Sequence, residues 1–396
     1  MAQFSQRMVA LGTARSEIRE AFEFGKQRAA VVGAENVFDF SIGNPSVPAP
    51  DSVTQTLLKQ IQEQDPVTLH GYTSAQGDYA VREALANNLN ARFGTQYDAG
   101  CLYLTVGAAA GLCCVLTALA CPGDEFLTVA PYFPEYKVFV ESTGATFRVV
   151  PAETEAFQIR FDQLEAMLTP QTKGLIINSP NNPSGAVYAA ETMDRLGKLL
   201  TRKSQEFGHP IWLISDEPYR EISYWDGPLP WVPSYYANTV VSYSFSKSLS
   251  LPGARIGYVL APREAADHDL LYAAICGAGR SLGYVCAPSL FQQVAGACCG
   301  DTADLTIYRE NRDILVKNLR EMGFSCVEPG GAFYLFPRSL EPDAKAFCER
   351  AKKYDLILIP SDSFGCPGHL RISYCVPTQR IWDSLEKFRL LAAEYR

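Results

Sequence analysis

The stretch VVSYSFSKSLSLPGARIGY, residues 240–258, decides the fold, because a short polar segment with one lysine stands in it between two apolar runs. The runs at 240–244 and 256–260 are rich in β-branched and aromatic residues, which predicts two buried strands. Lys247 and Arg255 lie in the segment between them. Ligands of open α/β sheets bind at the carboxyl ends of the strands, so this segment is a candidate site.

The polar segment combines residue types that suit covalent attachment and anion binding. A lysine at the mouth of an apolar crevice has the pKa of its amine lowered by desolvation and by neighbouring cations, which allows Lys247 to form a Schiff base. Ser244, Ser246 and Arg255 supply donors that suit a phosphate dianion. The same residues also fit a solvent-facing lysine in a serine-rich loop.

Short apolar runs of this kind recur along the chain and alternate with longer helical stretches. This alternation predicts an α/β fold with a mainly parallel sheet. A helix is predicted from Val81 to Phe93, because apolar residues recur there at four-residue spacing before Gly94. The further predicted strands are at residues 102–106, 126–129, 175–178 and 212–215.

The pattern changes after about residue 288, which predicts two domains. Residues 51–287 form the large domain, and residues 288–396 form a smaller α/β domain. Residues 1–50 are an N-terminal arm that belongs in part to the small domain. Within the small domain, residues 324–337 read as a hairpin-like segment and residues 370–374 as a strand.

Composition excludes several classes of protein. The chain has 396 residues, of which 47% are hydrophobic and 20% charged, which is typical of a globular protein with a large core. The net charge of −8 provides no basic field for nucleic acid. Because residues 1–20 lack an apolar signal region and no apolar run is long enough to span a membrane, a cytoplasmic protein is expected.

The cysteine content is the one compositional oddity. There are 12 cysteines and 4 histidines, without the spacing of a zinc site, so no metal is predicted. Free cysteine in the cytosol behaves mostly as a small buried hydrophobe.

Three further polar segments follow predicted strands. Asp216 and Tyr219 follow the strand that ends in IWLIS, where an acidic residue could equally cap a helix. LTVGAAAGL leads a strand into a helix at Gly107, where backbone amides suit an anion and small residues equally suit close packing. Asn182 lies in LIINSPNNPSG, which taken alone is an ordinary turn.

In order and spacing, these segments resemble the class I/II aminotransferase family of fold type I pyridoxal-phosphate enzymes. The resemblance covers nearly the whole chain and implies that a helix-sandwiched sheet carries the cofactor in the large domain. The matching segments are Ser41-Ile42-Gly43-Asn44-Pro45, His70-Gly71-Tyr72, Pro131-Tyr132-Phe133, Asn182-Pro183-Ser184-Gly185, Asp216-Glu217-Pro218-Tyr219, Ser244-Phe245-Ser246-Lys247, Arg255-Ile256-Gly257, Gly331-Ala332-Phe333-Tyr334 and Leu370-Arg371-Ile372-Ser373.

The resemblance also implies roles for the residues around the cofactor ring. Lys247 would carry pyridoxal 5′-phosphate as a Schiff base and then act as the catalytic base. Asp216 would keep the pyridine nitrogen protonated. Tyr219 and Asn182 would donate to the 3′ oxygen, and Phe133 would stack on the ring.

Other roles implied by the resemblance concern the phosphate, the substrate and a second subunit. Arg371 would bind the substrate carboxylate through a bidentate fork, assisted by Asn182 and by the backbone N–H of Gly43. Tyr72 would reach the phosphate from the neighbouring subunit, which implies a homodimer with shared sites. The remaining phosphate ligands would be Gly107, Ala108, Ala109, Ser244, Ser246 and Arg255.

The expected activity is transamination between an L-amino acid and a 2-oxo acid. A carbon–sulfur β-lyase or an amino-acid decarboxylase is the alternative on the same fold, because one sequence does not show which bond at Cα breaks. A non-enzymatic binding role is opposed by the intact Lys247 and Asp216. Arg280 lies near where some family members read an acidic substrate side chain, but a surface arginine is the favoured interpretation.

Overall fold

The computed structural model describes residues 4–14 and 16–396. These residues form two compact units. One comprises the described residues up to Asn44 together with Thr306–Pro329 and Phe333–Arg396, and the other comprises Pro45–Leu305 and Gly330–Ala332. The sheet-bearing unit therefore extends beyond the predicted boundary at residue 287, because the helix Ser289–Ala297 packs there through Val294 and Ala295.

The helices are numbered in chain order. They are α1 Gln6–Thr13, α2 Glu17–Val32, α3 Asp51–Glu63, α4 Pro66–Leu69, α5 Tyr79–Phe93, α6 Ala108–Leu119, α7 Glu135–Ser142, α8 Phe161–Met167, α9 Ala190–Phe207, α10 Phe245–Ser248, α11 His268–Ser281, α12 Ser289–Ala297, α13 Thr306–Glu321, α14 Ala344–Ala351 and α15 Thr378–Ala393.

The strands are also numbered in chain order. They are β1 Phe38–Asp39, β2 Leu102–Thr105, β3 Glu125–Val129, β4 Thr146–Val150, β5 Thr172–Asn178, β6 Trp212–Asp216, β7 Thr239–Ser244, β8 Gly257–Leu260, β9 Tyr334–Leu335, β10 Leu356–Ile357, β11 Ile359–Pro360 and β12 Leu370–Ser373.

The larger unit is built on a seven-stranded sheet of order β2-β8-β7-β6-β5-β3-β4. Strands β3 to β7 run parallel, whereas β8 is antiparallel to both β7 and β2. The mainly parallel α/β architecture predicted from the alternation of elements is confirmed. Strand β4 was not predicted, because this edge strand is only partly buried and carries Arg148 in its centre.

Helices cover both faces of this sheet, and successive residues of its central strands enter different cores. Val240 and Ile214 pack with residues of α6, α7 and α11 on one side. Leu213 packs with residues of α8 and α9, and Val241 packs with residues of α5 and α12. Burial on both faces explains why these strands read as continuous apolar runs. Each fully buried aliphatic side chain contributes about 1.5–3 kcal/mol.

The smaller unit contains two short sheets. Strand β1 pairs with β10 in parallel, and β12 lies between β11 and β9 with antiparallel pairing. The hairpin predicted at residues 324–337 is not present, because β9 pairs with β12 and not with the preceding segment. The predicted strand at 370–374 is present as β12.

No helix in the described chain is both long and apolar enough to cross a membrane. No group of three or more described histidine, cysteine, aspartate or glutamate side chains is arranged to hold a metal ion. The cysteines are mostly shielded, and burial raises the pKa of the Cys113 thiol to about 11 and that of Cys114 to about 12. Such thiols stay protonated and are poor nucleophiles near neutral pH.

Candidate active site

The strands β5, β6 and β7 bring three of the predicted segments to one edge of the sheet. Asn178, the last residue of β5, pairs with Asp216, and Asp216 pairs with Ser242 of β7. The three strands are parallel, so the segments that follow them lie at the same edge. Lys247 lies in α10, directly after β7, and is partly buried.

Asp216 is a buried carboxylate with one unoccupied oxygen. Its Oδ2 accepts a hydrogen bond of 2.6 Å from the Tyr136 hydroxyl. Its Oδ1 is buried and accepts no hydrogen bond from any described residue. Burial raises the pKa of Asp216 to about 7, although the Tyr136 hydrogen bond opposes this shift. A buried acceptor of this kind fits a cationic N–H donor.

Tyr136 is a site residue that the sequence did not predict. It lies in the first turn of α7 and is almost completely buried. Phe133, three residues earlier, meets the Tyr136 ring edge-on at a centroid distance of 5.7 Å. The backbone N–H of Tyr136 donates to the Phe133 oxygen at 3.0 Å, so the two rings lie on one turn that leads into α7, and this three-residue spacing is the available signal.

Asn178 joins the segment of Asn182 to the strand of Asp216. The Asn178 Nδ2 donates to the backbone oxygen of Asp216 at 2.7 Å, and its Oδ1 accepts from the backbone N–H of Asn182 at 2.6 Å. Asn182 is 6% exposed, as is Tyr219, which follows β6. Asn178 was not predicted as a site residue, although an asparagine at the end of a buried strand is the signal that could have identified it.

The beginning of α6 presents backbone amides beside Arg255. No described side chain caps this helix, which begins at Ala108 after Gly107. Gly107 has φ of +91°, and a Cβ there would lie 2.5 Å from the Arg255 Nη2. Only glycine fits this combination of backbone conformation and close approach. The small residues Ala108 and Ala109 follow in the first turn of the helix, as predicted.

Three side chains face the backbone amides at the start of α6, and together with these amides we call them the cradle. They are Ser244, Ser246 and Arg255. The two serine hydroxyls are 2.7 Å apart, and the Arg255 Nη1 lies 3.5 Å from the Ser246 Oγ. The Arg255 Nη2 donates to the backbone oxygen of Val106 at 3.1 Å. The pairing of β8 with both β2 and β7 brings these residues together. Amides, hydroxyls and a guanidinium are donors that suit a phosphate.

Arg371 lies in the smaller unit, where other residues of that unit bury its side chain. Its side chain is 2% exposed, and its Nη2 donates to the Ser41 oxygen at 2.5 Å. The guanidinium lies over the rings of Tyr334 and Phe364, at 4.9 and 5.2 Å from their centroids. Gly43 packs against the Tyr334 hydroxyl.

Two predicted residues are not part of these clusters. Tyr72 is 91% exposed, and Arg280 is exposed in the last turn of α11. Neither side chain makes a hydrogen bond or an ion pair with a described residue.

Comparison with known proteins places this fold among the fold type I enzymes that use pyridoxal phosphate. A solved aminotransferase from Eubacterium rectale is 55% identical, with a TM-score of 0.97 and full coverage of both chains. Aspartate aminotransferase from Thermus thermophilus with maleate is 25% identical, with a TM-score of 0.86 and coverage of 99% of this chain and 100% of that one. Aspartate aminotransferase of Thermotoga maritima is 28% identical over 380 residues, which cover 91% of this chain and 93% of the relative.

The family described as aminotransferase class I and II matches residues 35–387, and the chain belongs to this family. The protein is therefore a pyridoxal-phosphate-dependent transferase that catalyses transamination, as the sequence predicted. The β-lyase and decarboxylase alternative is not favoured. The orphaned Asp216 Oδ1 and the cradle that a Cβ at Gly107 would fill both fit the cofactor.

Proposed function

We propose that this aminotransferase moves the α-amino group of an L-amino acid to a 2-oxo acid at the sheet edge that carries Asp216 and Lys247. The buried Asp216 Oδ1, which accepts no hydrogen bond from a described residue, carries the proposal, because it fits the protonated ring nitrogen of the cofactor. When bound, pyridoxal phosphate supplies an electron sink for the negative charge that develops at the substrate Cα.

Asp216 holds the proton on the ring nitrogen. Its pKa near 7 reflects a carboxylate that burial disfavours. A cation at Oδ1 stabilises the carboxylate and lowers this pKa, so Asp216 becomes ionised while the ring nitrogen keeps its proton. Tyr136 also favours the ionised form of Asp216, because its hydroxyl donates a hydrogen bond to Oδ2.

Lys247 would hold the cofactor through its Nζ, and the same amine would move the proton at the substrate Cα. Its position in α10, directly after β7, supports this role because α10 begins beside the cradle. Asn182 and Tyr219 would donate hydrogen bonds to the 3′ oxygen of the cofactor, and Phe133 would stack on its ring. The phosphate would be held by Tyr72 of the second subunit and by residues of this chain, namely Gly107, Ala108, Ala109, Ser244, Ser246 and Arg255.

Arg371 would bind the substrate α-carboxylate together with the backbone N–H of Gly43, which belongs to the same unit. The rings of Tyr334 and Phe364 and the Ser41 oxygen hold its guanidinium in one orientation, which favours a bidentate contact. Aspartate is the first donor to test, because two of the relatives above are aspartate aminotransferases. Arg280 stays a candidate reader of an acidic side chain.

We further propose that the protein is a homodimer in which each active site takes residues from both subunits. The proposed location is the cytoplasm. Tyr72 is exposed in this chain, as a residue that serves a second copy would be. It follows α3 and α4 in sequence, and these helices carry the exposed apolar side chains of Ile61 and Val67. Exposed apolar patches commonly mark protein interfaces.

The proposed reaction is tested by incubating the purified holoenzyme with a panel of L-amino acids and 2-oxoglutarate, with aspartate first. Keto-acid formation that requires the acceptor supports transamination. Release of pyruvate and ammonia without an acceptor would contradict it. The Lys247→Ala variant should lose the visible absorbance of the attached cofactor, and a borohydride-stable adduct in that variant would refute the role of Lys247.

A further inference from the structure

Residues Gly330–Ala332 belong to the sheet-bearing unit, although Pro329 and Phe333 on either side belong to the smaller one. We call these three residues the clip. Gly331 and Ala332 also belong to the segment Gly331-Ala332-Phe333-Tyr334, which matches the family. The resemblance did not imply a role for either residue. Their contacts join two segments that the proposed function uses.

The clip contacts the segment that carries Asn182. The backbone N–H groups of Gly330 and Gly331 both donate to the Gly185 oxygen, at 2.9 and 3.0 Å. A Cβ on Gly331 would lie 2.6 Å from the Cβ of Pro180. The Asn182 segment is therefore held by the clip at its two ends, and a side chain on Gly331 would displace it.

The clip also contacts the segment that follows Tyr219. The backbone N–H of Ala332 donates to the Ile222 oxygen at 2.8 Å, and the backbone N–H of Tyr224 donates to the Gly330 oxygen at 2.8 Å. The Tyr224 hydroxyl donates to the Ala332 oxygen at 2.7 Å. Ile222 in turn donates to the Tyr219 oxygen at 2.9 Å, so the bonds continue to Tyr219 itself.

We propose that the clip is a positioning element that sets the distance between Asn182 and Tyr219, and so aligns both donors on the 3′ oxygen of the cofactor. This inference rests on the roles proposed above for these two residues. Hydrogen bonds weaken steeply when donor and acceptor are misaligned, so two donors on separate segments need a common support.

The spectrum of the bound cofactor reports this alignment. Donors to an oxygen anion stabilise the ionised form and lower the pH at which the visible absorbance band changes. Misaligned donors raise that pH. A purely structural role of the clip would lower thermal stability without moving the absorbance transition.

The main test compares Gly331→Ala with Gly277→Ala. Apart from its chain neighbours and the backbone of its own helix, no described atom lies within 4 Å of a Cβ built on Gly277. This residue is exposed in α11, so the variant is a matched control. For Gly331→Ala we expect the midpoint of the absorbance transition to rise by about one pH unit and the Kd for pyridoxal phosphate to rise about 10-fold. Gly277→Ala should leave both unchanged.

Tyr224→Phe keeps the test decisive if Gly331→Ala does not fold, because it removes only one hydroxyl from the clip contacts. It should raise the midpoint by a smaller amount. Asn182→Ala and Tyr219→Phe remove the proposed donors directly, so they show how far the midpoint of the absorbance transition moves when one donor is lost. If these two raise the midpoint and the clip variants do not, the clip proposal is overturned. If neither of the two raises it, the roles of Asn182 and Tyr219 fail, and the clip proposal falls with them.

Discussion

At the scale of single residues, the arrangement of Asp216 and Tyr136 follows from the cost of burying a carboxylate. Burial alone favours the protonated acid, and one hydroxyl offsets only part of that cost. Oδ1 is open to a cationic partner, whereas Oδ2 is already occupied. The ionised form of Asp216 is thus favoured when the cofactor is bound and disfavoured in the apoprotein.

Removing the Tyr136 hydroxyl should weaken cofactor binding. In Tyr136→Phe the Asp216 pKa rises further, because the lost hydrogen bond lowered it, and fewer molecules carry the carboxylate at neutral pH. A lost hydrogen bond to a charged group is worth about 1.5–3 kcal/mol, which predicts a Kd for pyridoxal phosphate at least roughly 10-fold higher. Fluorescence titration of the apoprotein measures this. Tyr132→Phe is the control, because Tyr132 is buried four residues earlier in sequence and makes no hydrogen bond to Asp216. Equal losses in both variants would count against the assignment.

The raised pKa of Asp216 also predicts how stability depends on pH. In the apoprotein the folded-state pKa of about 7 exceeds the ordinary 3.8, so the folded state binds more protons between these values. The contribution of Asp216 to stability is full below about 3.8 and is lost as the pH rises through about 7. The Asp216→Asn variant has no carboxyl at this position, so it should not lose this stability as the pH rises. The difference in Tm between apo wild type and apo Asp216→Asn should therefore grow from pH 5 to pH 8, in favour of the variant, and a constant difference would contradict the shift.

At the scale of elements, the sequence predicted the central strands and the helix α5, because buried parallel strands leave continuous apolar runs and α5 has a regular apolar repeat. It did not predict β4, whose half-exposed edge position leaves no such run. It also did not predict Tyr136 or Asn178. Their roles depend on which strands become neighbours, and a linear pattern does not contain the pairing of β5 with β6.

The N-terminus of α6 gives a prediction at this scale. Gly107→Ala places a Cβ against the Arg255 guanidinium at a φ of +91°, so both the helix start and Arg255 must shift. The backbone strain alone is about 1–3 kcal/mol, because this extended conformation at positive φ is essentially restricted to glycine. We expect the Kd for pyridoxal phosphate to rise at least about 10-fold, with a smaller change in apoprotein Tm. Gly253→Ala is the matched control in the neighbouring loop, since apart from its chain neighbours no described atom lies within 4 Å of the Cβ built there. A similar loss of cofactor affinity in the control would contradict this prediction.

At the scale of the whole molecule, the proposed homodimer predicts complementation between subunits. Tyr72→Ala should weaken phosphate binding and Lys247→Ala should abolish activity, but a mixed dimer contains one site with both native residues. Unfolding and refolding the two variants together should restore about a quarter of wild-type activity, because about half of the dimers are mixed and one of their two sites is intact.

The control for this experiment mixes Lys247→Ala with Asp216→Ala. Both residues belong to one unit of the same chain, so no dimer of these variants has an intact site. Regained activity with this pair, or its absence with the Tyr72 pair although both variants are dimeric by light scattering, would contradict shared sites.

The hydrogen bond from Arg371 to the Ser41 oxygen joins residues 330 positions apart, and β1 likewise pairs with β10 near the other end of the chain. During synthesis, strands β2 to β8 leave the ribosome long before Arg371 does. The unit that carries Lys247 is thus complete in sequence, apart from Gly330–Ala332, while the early segment that contains Ser41 still waits for its partner. The guanidinium proposed to bind the substrate can reach the Ser41 oxygen only after residue 371 has been made, so a nascent chain gains its means of recognising amino acids well after its sheet-bearing unit.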